Sequence, residues 1–188
     1  MSVKELFKEK KYQILLAVLI VVMAGLFFLL KYVYMYNLIK TIRYLILLPF
    51  LFVIAIIDAR EMRIPNRILF IMILVRMIIF IAEFMIYRDS ALTLFINSLA
   101  GGAAAGGLFG LCYIVSRKSI GAGDVKLLAV CGLFLGFSAI VGAIIMISLC
   151  ALIYGIAGMI LKKNGLKDSI PFGPFVLIGT VLAMVIGI

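Results

Sequence analysis

The fold is decided by residues 124–161, which read DVKLLAVCGLFLGFSAIVGAIIMISLCALIYGIAGMIL. After Lys126, no charged side chain occurs in this stretch before Lys162. A single helix of these 38 residues would be about 57 Å long, nearly twice the thickness of a bilayer's hydrocarbon core. We therefore predict two membrane crossings of about 19 residues each, joined by a tight turn near Gly136–Ser138.

The composition of the whole chain agrees with this stretch. Among 188 residues, 66% are hydrophobic and 14% are charged, and the mean hydropathy is +1.32. Soluble domains are nearer half apolar and a quarter charged, and a chain of this size could not bury so much apolar surface in water. The sequence predicts an all-α, polytopic integral membrane protein that has no separate soluble domain.

Five further apolar runs complete a prediction of about seven transmembrane helices. They cover Ile14–Leu30, Tyr44–Ile57, Ile68–Tyr87, Leu92–Val115 and Phe172–Ile188. The first run is longer than the apolar region of a signal peptide and lacks a small-residue cleavage site, so we interpret it as an uncleaved anchor. Residues 1–43 then form a basic segment, an anchor helix and an outer loop, and residues 44–188 form a six-helix membrane-embedded core.

Basic residues predict the orientation of these helices. With the N-terminus inside, most of the 18 basic residues fall in inner segments, as the positive-inside rule requires. The inner residues are Lys4, Lys8, Lys10, Lys11, Arg60, Arg63, Arg67, Arg117, Lys118, Lys126, Lys162, Lys163 and Lys167. The outer residues are Lys31, Lys40, Arg43 and Arg88, and Arg76 lies within a span. We interpret the net charge of +10 as basic cytoplasmic loops and not as a nucleic-acid surface.

The composition also excludes several chemistries. The chain contains no histidine, which rules out a Ser-His-Asp triad, a Cys-His pair and histidine zinc sites. Cys112, Cys131 and Cys150 lie in apolar stretches and have no C-x-x-C spacing, so we expect small core residues and not a disulfide or metal framework. We predict no metal and no cofactor.

Glycines are concentrated in the fourth apolar run. Gly102 and Gly106, and Gly106 and Gly110, form small-xxx-small pairs, and Gly101 and Gly107 lie beside them. Such pairs let helix backbones approach closely, so we predict tight helix packing at this stripe.

Asp58 and Asp124 are the strongest candidates for chemistry, because a carboxylate near membrane depth is costly and usually functional. Asp58 ends the second apolar run, and Asp124 opens the fifth after two glycines. Two crossings separate them, so both belong to the same membrane face. Two neighbouring carboxyls in a low dielectric cannot both ionise easily, so one keeps its proton while the other is charged. Such a pair suits general acid–base hydrolysis, in which the charged member activates a water molecule and the neutral member donates a proton. The alternative is structural: each aspartate caps a helix or pairs with Arg60 or Lys126.

Two other readings of these aspartates come from different classes of protein. One is a proton-coupled transporter or channel that uses Asp58 and Asp124 as a relay, although no internal repeat is visible and both residues lie at one face. The other is a structural membrane subunit in which the aspartates only pair with arginines.

Glu83 and Arg76 lie on one face of the third apolar run, seven residues apart. A rise of about 10 Å separates them, so we expect no direct pair. We interpret both as packing or interface charges that have no chemical role.

Three blocks of sequence resemble one family. DAREMRIPN at residues 58–66 is similar to the D-x-x-x-x-x-I-P-N block of type IV prepilin peptidases. GAGDVK at residues 121–126 resembles their GxGD-x-K block, and PFGPF at residues 171–175 resembles the stretch that opens their last helix. The blocks occur in the family's order, each at a membrane boundary, and the resemblance covers residues 44–188.

The resemblance implies an aspartic intramembrane protease of the prokaryotic cytoplasmic membrane, with Asp58 and Asp124 as the catalytic pair at the cytoplasmic face. Members of this family cut the short basic leader from prepilins, pseudopilins and archaeal preflagellins. The partners implied are these substrates and membrane lipid, and no nucleic acid. Bifunctional members that also methylate the new N-terminus carry an insert with paired C-x-x-C motifs. This chain lacks both, so it resembles the peptidase-only form.

The resemblance also names supporting residues of the site. Gly121 and Gly123 would let substrate or the partner aspartate approach, unless they serve only helix packing. Lys126 would tune Asp124 or meet a lipid phosphate.

Around the last block, Pro171 and Pro174 flank Gly173. They would unwind the chain near the active face, unless they simply start a helix. Arg60, Arg63 and Arg67 are interpreted as topology determinants, because they would repel a basic leader.

Overall fold

The computed structural model describes residues 10–115, 121–161 and 170–187. Throughout these ranges the protein is helical and has no strand, which confirms the all-α prediction. Seven of the basic residues assigned to inner segments lie outside the described residues: Lys4, Lys8, Arg117, Lys118, Lys162, Lys163 and Lys167. The seven α-helices of the described residues are α1 Lys10–Phe28, α2 Leu38–Glu61, α3 Asn66–Ile86, α4 Ala91–Val115, α5 Ala122–Leu135, α6 Phe137–Ile160 and α7 Gly173–Ile186.

The helices differ in whether they are long enough to span a bilayer. A π-helical turn, Leu29–Val33, extends α1. This extended α1 and α2, α3, α4 and α6 are long and apolar enough to cross a membrane. The protein is therefore a multi-pass membrane protein. By contrast, α5 and α7 have 14 residues each, or about 21 Å of helix, which is shorter than the ~30 Å hydrocarbon core.

The structure corrects the expected division of residues 124–161. The turn lies at Gly136, as predicted, but it separates helices of 14 and 24 residues and not two of equal length. Gly136 has φ +83°, a backbone conformation that glycine adopts far more readily than any other residue. Asn97 accepts a hydrogen bond from the Phe137 amide at 3.1 Å. This hydrogen bond satisfies an amide at the start of α6 that has no partner within the helix, so the chain can turn directly from α5 into α6.

A buried charge cluster overturns two expectations. Arg43 does not lie in an outer loop, because α2 begins at Leu38 and leaves Arg43 only 3% exposed. Arg76 and Glu83 do form a direct pair, with Nη2 and Oε2 2.9 Å apart. The long arginine side chain spans the helical rise between them. The other carboxylate oxygen of Glu83 meets Nη1 of Arg43, also at 2.9 Å, so one carboxylate binds two guanidinium groups.

The same cluster satisfies the end of α5. Arg76 Nε donates to the Leu133 carbonyl at 2.8 Å, and Ser98 of α4 donates to the same oxygen. Tyr44 of α2 donates to the Leu135 carbonyl at 3.0 Å. The last carbonyls of a helix have no partner within it, and in a membrane interior water cannot supply one. Side chains of α2, α3 and α4 therefore hold the end of α5 in place.

The glycine stripe of α4 packs against α5, as predicted. A Cβ built on Gly101 would lie 2.6 Å from the carbonyl oxygen of Gly132, and one on Gly106 would lie 3.0 Å from Cβ of Ala129. Gly110 continues the contact towards Val125. At Gly101 the two helix backbones cross at a distance that no larger side chain would permit, whereas an added Cβ at Gly107 would have nothing within 4 Å.

The cysteines only partly match the expectation of core residues. All three are free thiols. Cys131 is fully buried in α5, whereas Cys112 is exposed on the outside of α4. An apolar face of a membrane helix can point to lipid as well as to the core, so apolar surroundings in the sequence do not distinguish the two.

Replacing Glu83 by glutamine tests the buried cluster. The glutamine side chain would keep the shape but leave two buried guanidinium groups without a counter-charge, which we expect to destabilise the protein by about 3 kcal/mol or more. The matched control is Glu61→Gln, which removes the exposed pair with Arg63 and should cost at most about 1 kcal/mol. Thermal unfolding in detergent can be followed with a thiol-reactive dye that reports exposure of Cys131, in a Cys112→Ser, Cys150→Ser background because Cys112 is already exposed in the folded protein. Equal shifts for both variants would contradict this account.

Candidate active site

Asp58 lies in the last turn of α2 and is only 4% exposed. Its Oδ2 accepts a hydrogen bond from the backbone N–H of Gly173, at 2.7 Å. Gly173 is the first residue of α7, so this N–H is one of the donors that a helix leaves unpaired at its N-terminus. The positive end of the helix dipole lies at the same place and attracts the carboxyl oxygen. The start of α7 therefore holds Asp58 in a fixed orientation.

The sequence around Gly173 explains this close approach. A Cβ at Gly173 would lie 3.1 Å from Cβ of Asp58 and 3.2 Å from Cα of Ala55, so a larger residue would push the two helices apart. Pro174 follows in the first turn of α7, where its missing N–H costs nothing and its fixed φ suits a helix start. Pro171 and Phe172 precede the helix and are half-buried.

Asp124 lies in the first turn of α5, where Gly121 is the N-cap residue. Its carboxylate lies against Gly121, with Oδ2 only 2.8 Å from where a Cβ would stand. This carboxyl is outside the five helices that are long enough to span a membrane. Burial, followed by the negative charge of Asp58, raises the pKa of Asp124 to about 6, and a hydrogen bond from the Gly121 backbone opposes this rise. The two carboxyls are therefore electrostatically coupled.

The loop after α2 connects the two aspartates structurally. Met62 takes a left-handed conformation at φ 51° and turns the chain at the end of α2. Ile64 then lies against Gly123, at 3.1 Å from where a Cβ of Gly123 would stand. Lys126 donates to Oδ1 of Asn66 at 3.2 Å. The start of α5 thus rests on the loop that follows Asp58.

The structure therefore brings all three sequence blocks to one end of the bundle. Asp58 meets Gly173, and Gly123 and Lys126 meet the Ile64–Asn66 loop. Sequence reasoning missed the role of this loop, although the Ile-Pro-Asn run was visible. It also missed an open cleft of about 530 Å³ lined by residues 63–67.

Both aspartates also have the helix-end contacts of the structural alternative. Asp58 accepts from the start of α7, and Asp124 is bound by the backbone of its own N-cap, Gly121. These contacts orient the two carboxyls. Among the residues in the described ranges, no group of three or more metal-binding side chains occurs.

A family model matches residues 45–156 of the chain and is described as the type IV leader peptidase family. The chain belongs to the type IV leader peptidase family. The matched residues run from the second turn of α2 into α6 and include Asp58 and Asp124. The resemblance noted in the sequence is thereby confirmed, and the chain belongs to a family of proteases.

Curated relatives agree with the family. The chain is 31% identical over 145 residues to the prepilin leader peptidase/N-methyltransferase of Bacillus subtilis (strain 168), covering 76% of this chain and 54% of that protein. It is 27% identical over 147 residues to the protein of the same name from Pectobacterium carotovorum subsp. carotovorum, covering 75% and 50%. The chain thus spans about half the length of these relatives. No solved structure matches it.

The coupling of the two carboxyls can be measured by titration. In protein labelled with ¹³C at the aspartate carboxyl carbons, we expect the Asp124 signal to titrate with a pKa of about 6. Asp58→Asn removes the charge that helps to raise this value. The pKa of Asp124 should therefore fall, while remaining above its usual 3.8 because burial persists.

The Asp124→Asn variant assigns the resonance, since its signal disappears. An Asp124 pKa that does not change in the Asp58→Asn variant would contradict the proximity of the two groups.

Proposed function

We propose that this chain is an aspartic endopeptidase that cleaves the leader peptide of prepilin-like proteins, with Asp58 and Asp124 as the catalytic pair. The observation that carries the proposal is that the three sequence blocks lie in contact at one end of the bundle. Asp58 is held by the Gly173 amide at 2.7 Å, while the charge of Asp58 acts on Asp124. Membership of the leader peptidase family supports the reaction class.

The surroundings of the two carboxyls support different roles for them. The Gly173 amide holds one carboxyl oxygen of Asp58 in place, and we assign the general base to this oriented carboxyl. Asp124 has a pKa raised towards neutrality, which suits a group that keeps its proton. A pair with one charged and one protonated member is the arrangement that acid–base hydrolysis needs.

In the proposed reaction, ionised Asp58 takes a proton from water while the water oxygen bonds to the carbonyl carbon of the scissile peptide. Asp124 gives its proton to the carbonyl oxygen, and a gem-diol forms. Asp58 then gives its proton to the peptide nitrogen, and Asp124 recovers a proton from a gem-diol hydroxyl. The carbon–nitrogen bond breaks, and the pair returns to its starting protonation state.

The proposed orientation places this end of the bundle at the cytoplasmic face of a prokaryotic cytoplasmic membrane, with the N-terminus inside. Arg60, Arg63, Arg67 and Lys126 lie at this end, as the positive-inside rule expects. Substrates would be prepilins, pseudopilins or preflagellins, cut ahead of their hydrophobic segment. Because no paired C-x-x-C motifs occur in the sequence, we propose cleavage without methylation of the product.

A cleavage assay tests the proposal. The chain is co-expressed with a prepilin-like substrate, and the product's N-terminus is read by mass spectrometry. We expect an unmethylated product cut ahead of the hydrophobic segment, and loss of cleavage by at least about a thousandfold in Asp58→Asn and in Asp124→Asn. Asp89→Asn is the matched control, because Asp89 is exposed between α3 and α4 at the other end of the bundle.

Cleavage that survives either substitution at Asp58 or Asp124 would refute the paired mechanism. If the unaltered chain cleaves none of several leaders, the peptidase proposal fails, and proton-flux measurements on the transporter alternative become the next step.

Gly173→Ala tests the contact between α7 and Asp58. The added methyl group would meet Asp58 and Ala55 at 3.1–3.2 Å, so α7 must shift and the hydrogen bond must lengthen. We expect cleavage to fall by roughly tenfold or more, as small displacements at catalytic groups do. The control is Gly155→Ala in α6, where nothing lies within 4 Å of the new methyl group. Similar rates for the two variants would argue against a role for this contact.

A further inference from the structure

The N-terminal helix lies outside the family match, which begins at residue 45. Its buried residues form one narrow seam, because Tyr12, Leu19 and Leu26 are spaced seven residues apart and are at most 7% exposed. The rest of α1 is mostly exposed, as expected for a helix that faces lipid. This seam packs on α2, the helix that carries Asp58.

The inner end of α1 makes a polar contact next to the site. Arg60 Nε donates to the hydroxyl of Tyr12 at 2.6 Å, and the guanidinium carbon lies 4.4 Å from the centre of the Tyr12 ring. Arg60 belongs to the same last turn of α2 as Asp58. Residues two apart point to opposite sides of a helix, about 200° around the axis. Asp58 therefore faces α7 while Arg60 faces α1, and the catalytic turn is held from both sides.

The outer end of α1 reaches the second helix of the site. After the π-helical turn, the Tyr34 hydroxyl donates to the Val185 carbonyl in the last turn of α7, at 2.7 Å. The Tyr34 ring also lies against Gly187, where a Cβ would stand 2.6 Å from it. One N-terminal segment thus contacts both α2 and α7, the two helices whose junction is the Asp58–Gly173 hydrogen bond.

We propose that α1 is a clamp for the active site and that Tyr12 is a positioning residue, which fixes the last turn of α2 through Arg60. This inference rests on the proposed peptidase function, because the expected effect of the clamp is on the rate of cleavage. A helix that served only to anchor the chain in lipid would not need a buried tyrosine paired with an arginine at this turn. Tyr12 does not touch the reacting atoms; it acts through the backbone that carries Asp58.

Substitutions at Tyr12 test the clamp. Tyr12→Phe keeps the ring over Arg60 but removes the hydrogen bond, and should lower kcat roughly three- to tenfold. Tyr12→Leu removes both contacts and should lower kcat further. KM should stay within about twofold in both variants, because Tyr12 meets no substrate. The control is Tyr32→Leu in the π-helical turn, where the side chain is 59% exposed and kcat should not change.

A double substitution separates positioning from general stability. In an Arg60→Met background, Tyr12→Leu should cause little further loss, since the partner of Tyr12 is already gone. If the kcat losses of Tyr12→Leu and Arg60→Met multiply in the double variant, the clamp would be overturned. An unchanged kcat in both Tyr12→Phe and Tyr12→Leu would also overturn it. Rates are compared per amount of folded enzyme.

A second readout does not depend on cleavage. The ¹³C signal of the Asp58 carboxyl should shift in Tyr12→Phe and remain at its usual position in Tyr32→Leu. If the unaltered enzyme cleaves no leader but this shift occurs, the peptidase proposal fails and the clamp stands. If cleavage occurs and the Asp58 signal is the same in every variant, the clamp is wrong.

Discussion

One hydrogen bond determines how the rest of this structure is arranged: the Gly173 amide donates to the Asp58 carboxylate across 115 residues of sequence. The bond has two requirements. The residue of α7 that lies closest to Asp58 must have no side chain, and this residue is Gly173. In addition, α2 must end where its last turn faces the start of α7. A buried carboxylate without such a donor would be costly in a membrane protein. The same contact therefore stabilises the fold and fixes the orientation of the Asp58 carboxyl.

The opposite end of the bundle compensates for the short α5. Because α5 has only 14 residues, it begins with Asp124 at the end of the bundle that holds Asp58 and ends inside the bundle. Its last carbonyls therefore need partners from other helices. The buried cluster of Arg43, Arg76 and Glu83 supplies part of them, together with Ser98 and Tyr44. Fixing the far end of α5 in this way also fixes the position of Asp124 at its near end.

The helical architecture and the shared face of Asp58 and Asp124 could be predicted from sequence, because apolar runs and the parity of crossings determine both. The Arg76–Glu83 pair could not, since helical rise alone ignores the reach of an arginine side chain. Nor could the length of α5, because it depends on partners for its final carbonyls that come from three other helices. The roles of Gly121, Gly123, Lys126, Pro171 and Pro174 remain predictions, although Gly121 contacts Asp124, and both Gly123 and Lys126 contact the loop after α2.

We propose that Asp58 and Asp124, one ionised and one protonated, act as a pair on a tetrahedral intermediate. The most direct test is the binding of a leader peptide in which a hydroxyl-bearing tetrahedral carbon replaces the scissile carbonyl, compared with the same peptide carrying a methylene there. We expect the hydroxyl to strengthen binding to the unaltered protein at least about a hundredfold, and we expect this preference to disappear in Asp58→Asn and in Asp124→Asn. Equal binding of the two peptides by the unaltered protein, or a preference that persists in both variants, would show that the two carboxyls do not act as a pair.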